Sequence, residues 1–164
     1  MADPLAGASV ARVRQALEAA GSAAQIVLLA ETARTAEDAA RSLGCELGAI
    51  VKTLVFEVDG KLVAALVAGD RRCDAAVLGK ALGMGAPARR ADAERVRAET
   101  GFAIGGVAPV GALAPLPTAI DASLGRFATV HAAAGHPHCV FATTVDELAR
   151  LTGGRLLDGL GVAL

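Results

Sequence analysis

Apolar residues recur along this chain with two periods, and the switches between them divide it into elements. From Ser9 to Ala20, Val10, Val13 and Leu17 fall at helical spacing with Arg12, Arg14 and Glu18 elsewhere on the wheel, which predicts a helix that Gly21 ends. Gln25 to Ala30 is a short apolar run that fits a buried strand. Thr35 then offers an N-cap for a helix that runs to Leu43 and stops at Gly44. The strongest strand candidate is Ile50 to Val58, and Asp59-Gly60 favours a tight hairpin turn into a second strand, Lys61 to Ala68.

Beyond the hairpin, Asp74 to Leu82 and Asp92 to Thr100 read as helices, the first closed by Gly83 and the second by Gly101. Gly101 to Gly111 has glycines and Pro109 inside an apolar run, too weak for a strand and broken for a helix, so it reads as a shaped loop with exposed backbone amides. Thr118 to Asp121, Phe127 to Ala132 and His138 to Thr143 follow as short strands, and Thr144-Val-Asp-Glu147 is a capping box opening a last helix to Leu151. Gly153-Gly154 closes that helix before Arg155 to Leu157. Strands interleaved with helices around an antiparallel hairpin predict a mixed sheet, not a strictly parallel doubly wound one. A chain of 164 residues without repeats or a linker is expected to form one domain, residues 1–164, with an N-terminal helix over 9–20 and a core over about 22–160.

Composition narrows the functions open to such a frame. With 54% hydrophobic and 20% charged residues the chain is a folding sequence, and the formal net charge of -1 removes the bulk attraction that a dedicated DNA-binding domain uses. Arg71-Arg72 and Arg89-Arg90 could meet a few phosphates, but each pair is more simply a solvated surface. Without Trp or Tyr, stacking platforms for single strands reduce to Phe56, Phe102, Phe127 and Phe141. No helix-turn-helix signal or basic stripe is visible, so DNA is not an expected partner. Cys45, Cys73 and Cys139 form no disulfide framework, Met1 to Leu5 lacks a leader pattern, and no apolar run is long enough to span a bilayer. The expected setting is the cytoplasm.

Familiar catalytic motifs are missing. The chain has no Gly-x-Ser-x-Gly elbow, Walker loop or His-Glu-x-x-His, and the glycine loop fails the dinucleotide spacing, so no cofactor is expected. His131, His136, His138 and Cys139 cluster in sequence, but alternation along a strand sends His138 and Cys139 to opposite faces and no distant pair completes a metal site. No metal is expected, and His136 stays a candidate only for a substrate pocket. Two features remain. Consecutive amides of the glycine loop can form a donor site for an anion or developing oxyanion. Lys52 interrupts its strand either as an edge lysine whose stem packs while its ammonium reaches water, or as a positive charge at a cavity mouth that can engage a phosphate.

Ile50-Val-Lys-Thr-Leu-Val-Phe56, Gly-Gly-Val-Ala-Pro-Val-Gly over 105–111, Ile120-Asp121 and Ala133-Ala-Gly135 together resemble the YbaK family of aminoacyl-tRNA deacylases, related to the editing domain of bacterial prolyl-tRNA synthetase. The resemblance implies an α+β fold with a mixed sheet curled into a partial barrel flanked by helices. It also implies hydrolysis of the ester between a wrong amino acid and its tRNA. Lys52 matches the family's functional lysine, and Gly105 to Pro109 matches its Gly-x-x-x-Pro loop. By that correspondence Lys52 and Gly105 would be catalytic, with Thr53, Gly106, Val107, Ala108 and Pro109 contacting substrate beside Gly135 and His136. No side chain stands out as a general base, so ordered water or the ribose hydroxyl beside the ester would supply or assist the nucleophile. Ala108 stands where relatives often carry a hydroxyl residue, which leaves cysteine, alanine, serine, threonine or another small residue open as the amino acid removed. The expected partners are the acceptor end of a mischarged tRNA, most simply tRNA(Pro), and a synthetase such as prolyl-tRNA synthetase. The alternative is a non-catalytic module that docks on tRNA ends or on a synthetase.

Overall fold

The computed structural model describes residues 3–30 and 34–164; Met1 and Ala2 of the amino-terminal segment and residues 31–33 lie outside them. Among the described residues ten strands and five α-helices form an α+β arrangement whose mixed sheet curls into a partial barrel. The strands run β1 Ile26–Leu28, β2 Ile50–Val58, β3 Lys61–Ala68, β4 Arg71–Cys73, β5 Arg89–Arg90, β6 Thr118–Asp121, β7 Val130–His136, β8 Cys139–Thr143, β9 Arg155–Leu157 and β10 Gly161–Ala163. The helices are α1 Ala8–Ala19, α2 Ala36–Leu43, α3 Ala75–Ala81, α4 Ala93–Thr100 and α5 Val145–Thr152.

The sheet is ordered β1-β8-β7-β2-β3-β6-β9, with β5 added to β2, and β4 and β10 form a separate two-stranded ribbon. At its centre β2 and β3 pair antiparallel from Val51 opposite Ala68 to Val58 opposite Lys61. Asp59 and Gly60 both take positive φ, 51° and 80°, as a two-residue hairpin loop matched to strand twist requires. Parallel pairs of β2 with β7, β3 with β6 and β6 with β9 complete the mixed topology. β3 is buried on both faces from Leu62 to Ala68. Leu62 and Leu66 face a core shared with Val10, Leu17, Phe102 and Leu148, while Val63, Ala65 and Val67 face a second core shared with Leu78 and Leu160.

The helix boundaries follow from their caps. Thr35 and Thr144 accept from the amides of Asp38 and Glu147, both at 3.1 Å, and Gly44, Gly101 and Gly153 end their helices in the left-handed region. Two expectations need correction. The strand expected over Phe127 to Ala132 begins at Val130 instead and continues to His136, because the Phe127 amide turns back to the Leu124 carbonyl to cap a 3-10 turn over Ala122–Arg126 that buried Asp121 opens. Both carboxylate oxygens of Asp121 are engaged, accepting from the Ser123 amide and hydroxyl and from the Ala68 amide. The run around Val27 and Leu28 is a strand, but an edge one with those side chains 45% and 47% exposed, and not buried. Arg89-Arg90 is exposed, as expected of a solvated surface pair, and also forms a short strand on β2, where Arg89 pairs with Glu57 at 3.1 Å and the Arg90 guanidinium lies 5.5 Å from the centre of the Phe56 ring. Among the described residues no helix is long and apolar enough to cross a membrane.

β7 reaches past Ala134 only because Gly135 takes φ +93° at an irregularity in its pairing with β8. A Cβ there would lie 2.8 Å from the Ser9 carbonyl carbon and oxygen, so glycine also sets how closely α1 approaches the sheet. Gly135→Ala is expected to lower unfolding free energy by about 2–4 kcal/mol, strain and overpacking combined. Urea denaturation measures this, and a loss below about 1 kcal/mol would show that α1 yields freely.

Candidate active site

β2 is a central strand that lacks a neighbour over part of one edge. β7 pairs only with Ile50 and Val51 before diverging, and β5 pairs only with Phe56 and Glu57. The Ile50 carbonyl accepts from Gly69 on the β3 side, whereas the Val55 carbonyl accepts from Ala91 on the β5 side, so alternate residues direct their backbone groups to opposite edges. Thr53 therefore turns its amide and carbonyl into the gap. A cavity of about 460 Å³ opens there, lined by Lys52 and Thr53 of β2, His131 and Ala133 of β7, and Gly105 and Val107 of the glycine loop.

Arg12 of α1 holds that loop at both ends. Its Nη2 donates to the Gly101 carbonyl at 2.9 Å, its Nε donates to the Gly111 carbonyl at 3.2 Å, and its guanidinium carbon lies 5.3 Å from the centre of the Phe102 ring. Leu113 closes the base by donating to the Thr100 carbonyl at 3.0 Å. Inside the loop the Gly106 amide turns back to the Ala103 carbonyl at 3.0 Å, and Pro109 has no N–H to offer. The amides of Gly105, Val107 and Ala108 donate to no acceptor among the described residues. Val107 and Ala108 are buried, so two of these three amides belong to residues largely withdrawn from solvent. Such a group of unspent donors suits an anionic oxygen.

Lys52 is half-buried, and its ammonium donates to the Arg71 carbonyl on β4. Burial pulls its pKa below the ordinary lysine value, against which nearby Glu37 pulls it back up. Arg34 and Arg90 also line the cavity, so its lysine side is cationic, whereas Leu29, Ala133 and Val140 make another part of its wall apolar. The Thr53 hydroxyl oxygen is buried without a partner among the described residues. His131 is half-buried and its pKa is lowered by burial.

Of the residues singled out from sequence, Lys52, Thr53, Gly105 and Val107 meet on this cavity. Ala108 and Pro109 line a smaller one of about 200 Å³, which Thr53 and Val107 also border. Gly106, Gly135 and His136 line neither. A Cβ on Gly106 would lie 3.0 Å from the His136 Cα, Gly135 lies against α1, and His136 accepts from the His138 amide through Nδ1 at 3.0 Å. Arg90 and His131 were visible in the sequence only as half of an arginine pair and as one of a histidine cluster. Strand alternation could have put His131 with Ala133, but nothing in the spacing puts either beside Lys52. Among the described residues no three His, Cys, Asp or Glu side chains converge as metal ligands.

The chain belongs to the aminoacyl-tRNA editing domain family, whose sequence profile matches residues 30–151. It is 42% identical, with a TM-score of 0.87, to the crystal structure of a proposed trans-editing enzyme for prolyl tRNA synthetase, the match covering 93% of this chain and 96% of that one. The uncharacterized protein YwhH of Bacillus subtilis (strain 168) is 34% identical over 119 residues, 72% of this chain and 74% of YwhH. The proline–tRNA ligase of Maridesulfovibrio salexigens is 43% identical over 77 residues, 47% of this chain but only 13% of that much longer enzyme.

Two expectations follow from this geometry. Arg12→Met keeps an apolar stem but removes the clamp, and should lower stability by about 1–3 kcal/mol in urea denaturation and speed amide exchange over the loop; unchanged exchange there would assign the loop's order to other contacts. Because its folded pKa is depressed, Lys52 loses its proton below the ordinary lysine value. Affinity for a phosphate-bearing ligand should therefore hold at neutral pH and fall as pH rises through that depressed value, before free lysine titrates at about 10.4. Anisotropy titration across this range checks it, with Lys52→Ala as the pH-insensitive control.

Proposed function

We propose that this chain is a trans-acting aminoacyl-tRNA deacylase, hydrolysing the ester of a mischarged tRNA, with tRNA(Pro) carrying a small wrong amino acid as its preferred substrate. The observation that carries the reading is the meeting of Lys52 with the unspent amides of Gly105 and Val107 on one cavity at the break in β2. The likeness to a proposed trans-editing enzyme for prolyl tRNA synthetase and to part of a proline–tRNA ligase supports the choice of tRNA.

In this reaction the terminal adenosine enters the cavity with its phosphate toward Lys52 and Arg90, and the ester carbonyl meets the loop amides. Water attacks the carbonyl carbon, and the resulting oxyanion accepts from the amides that the loop leaves free, each such donor being worth about 10²–10³ in rate. When the tetrahedral species collapses, the ester C–O bond breaks and the ribose oxygen takes a proton, releasing amino acid and intact tRNA. The vicinal ribose hydroxyl holds the water. The part of the wall formed by Leu29, Ala133 and Val140 suits a small uncharged side chain. With a net charge of -1 and only Arg34, Lys52 and Arg90 among its cations lining the cavity, the chain grips little tRNA beyond the acceptor end, which favours a synthetase as partner in selecting tRNA.

The test is a panel of misacylated tRNAs, with small amino acids on tRNA(Pro), tRNA(Ala) and tRNA(Cys). Release is expected to be fastest from tRNA(Pro), and Lys52→Ala should lose about 100-fold or more while unfolding normally. Tight binding without release across the panel would replace the deacylase with a docking module, and full activity of Lys52→Ala would remove the lysine from the site.

A further inference from the structure

We propose that His131 is the general base of this site, its imidazole taking the proton from the attacking water. This rests on the deacylase reading. Ile50 pairs with His131 across the parallel contact of β2 and β7. Strand alternation then puts Ile50 and Lys52 on the sheet face that carries His131 and Ala133. Neighbouring strands lie about 4.8 Å apart and a two-residue step is about 6.8 Å, so the His131 and Lys52 Cα atoms are roughly 8 Å apart over one cavity.

The choice of His131 is by chemistry as well as place. The charged side chains lining the cavity with it are Lys52 of β2, Arg34 ahead of α2 and Arg90 of β5, and none of these cations accepts a proton at neutral pH. Glu37 of α2 acts on Lys52 but is not among the lining residues. Opposite His131 on β8 stands Ala142, and α1 approaches β7 at Gly135, where Ser9 and Val10 meet it. Among the described residues His131 is therefore the one lining side chain able to act as a base near pH 7. Its ring makes no hydrogen bond to another described residue, so neither nitrogen is committed. Burial lowers its pKa, which keeps it neutral at the pH where it must accept.

The step balances without any added reagent. The water oxygen bonds to the ester carbonyl carbon as one water proton passes to a ring nitrogen of His131, and the carbonyl π pair moves onto oxygen against the loop amides. On collapse that pair re-forms the carbonyl, the bond to the ribose oxygen breaks, and the imidazolium returns its proton to that oxygen. The vicinal hydroxyl holds the water and His131 moves the proton.

The experiment is single-turnover release of labelled amino acid from small-aminoacyl tRNA(Pro), from about pH 5 to 8, by the full chain and its His131→Gln variant. The wild-type rate should rise through a pKa below the ordinary histidine value and then level. The variant should be slower by about 100-fold or more and lose that acid limb, while binding a non-hydrolysable 3′-amide analogue of the aminoacyl adenosine within about threefold of wild type. A variant within about threefold of the wild-type rate, or one that is slow with the acid limb intact, overturns the assignment. A variant that no longer binds the analogue also overturns it, because His131 then acts in positioning. If the wild type releases no amino acid from any tRNA of the panel, the deacylase reading itself fails and the base falls with it.

Discussion

A central strand with an unpartnered edge is the constraint on which this structure turns. Backbone N–H and C=O groups withdrawn from water need partners, and β2 satisfies its β3 edge through eight paired residues while leaving the other edge open around Thr53. The divergence of β7 and the late arrival of β5 create that opening, and the glycine loop stands beside it with the amides of Gly105, Val107 and Ala108 unspent among the described residues. Polar backbone left free in one place by two separate parts of the chain makes a candidate binding site. It needs no unusual side chain to become one.

The loop could not serve this purpose if it were free to relax. A segment with glycines at 101, 105, 106 and 111 has high conformational entropy, and Arg12 limits it by joining Gly101 and Gly111 through one guanidinium. The same helix lies against Gly135 on β7, so α1 sets both the loop's ends and the strand bearing His131. Preorganised donors favour a developing charge because they need no reorientation as it forms.

What the chain's order reveals and what it hides divides along physical lines. The β2–β3 hairpin is legible to the residue, since a long β-branched run and Asp59-Gly60 specify register locally. The helices are legible within a residue or so because their Thr, Asp and Gly caps are local too. β4, β5 and β10 are not, because strands of two or three residues owe their existence to partners distant in sequence. Gly135 lies inside β7, where α1 leaves no room for a side chain, and nothing local in the chain announces that approach. At the site, Lys52 and the loop stand out as departures from their local patterns. His131 and Arg90 do not, since only the sheet order β7-β2-β3 and the docking of β5 bring them to the same opening.

The bond from Lys52 to the Arg71 carbonyl has a consequence for entropy. An ammonium carries three N–H donors and this bond uses one, so the side chain is held in place while two donors remain for a phosphate. Much of the rotamer freedom that a long lysine stem would lose on meeting a ligand is already lost in the free protein. Under the proposed function, that lowers the cost of each encounter.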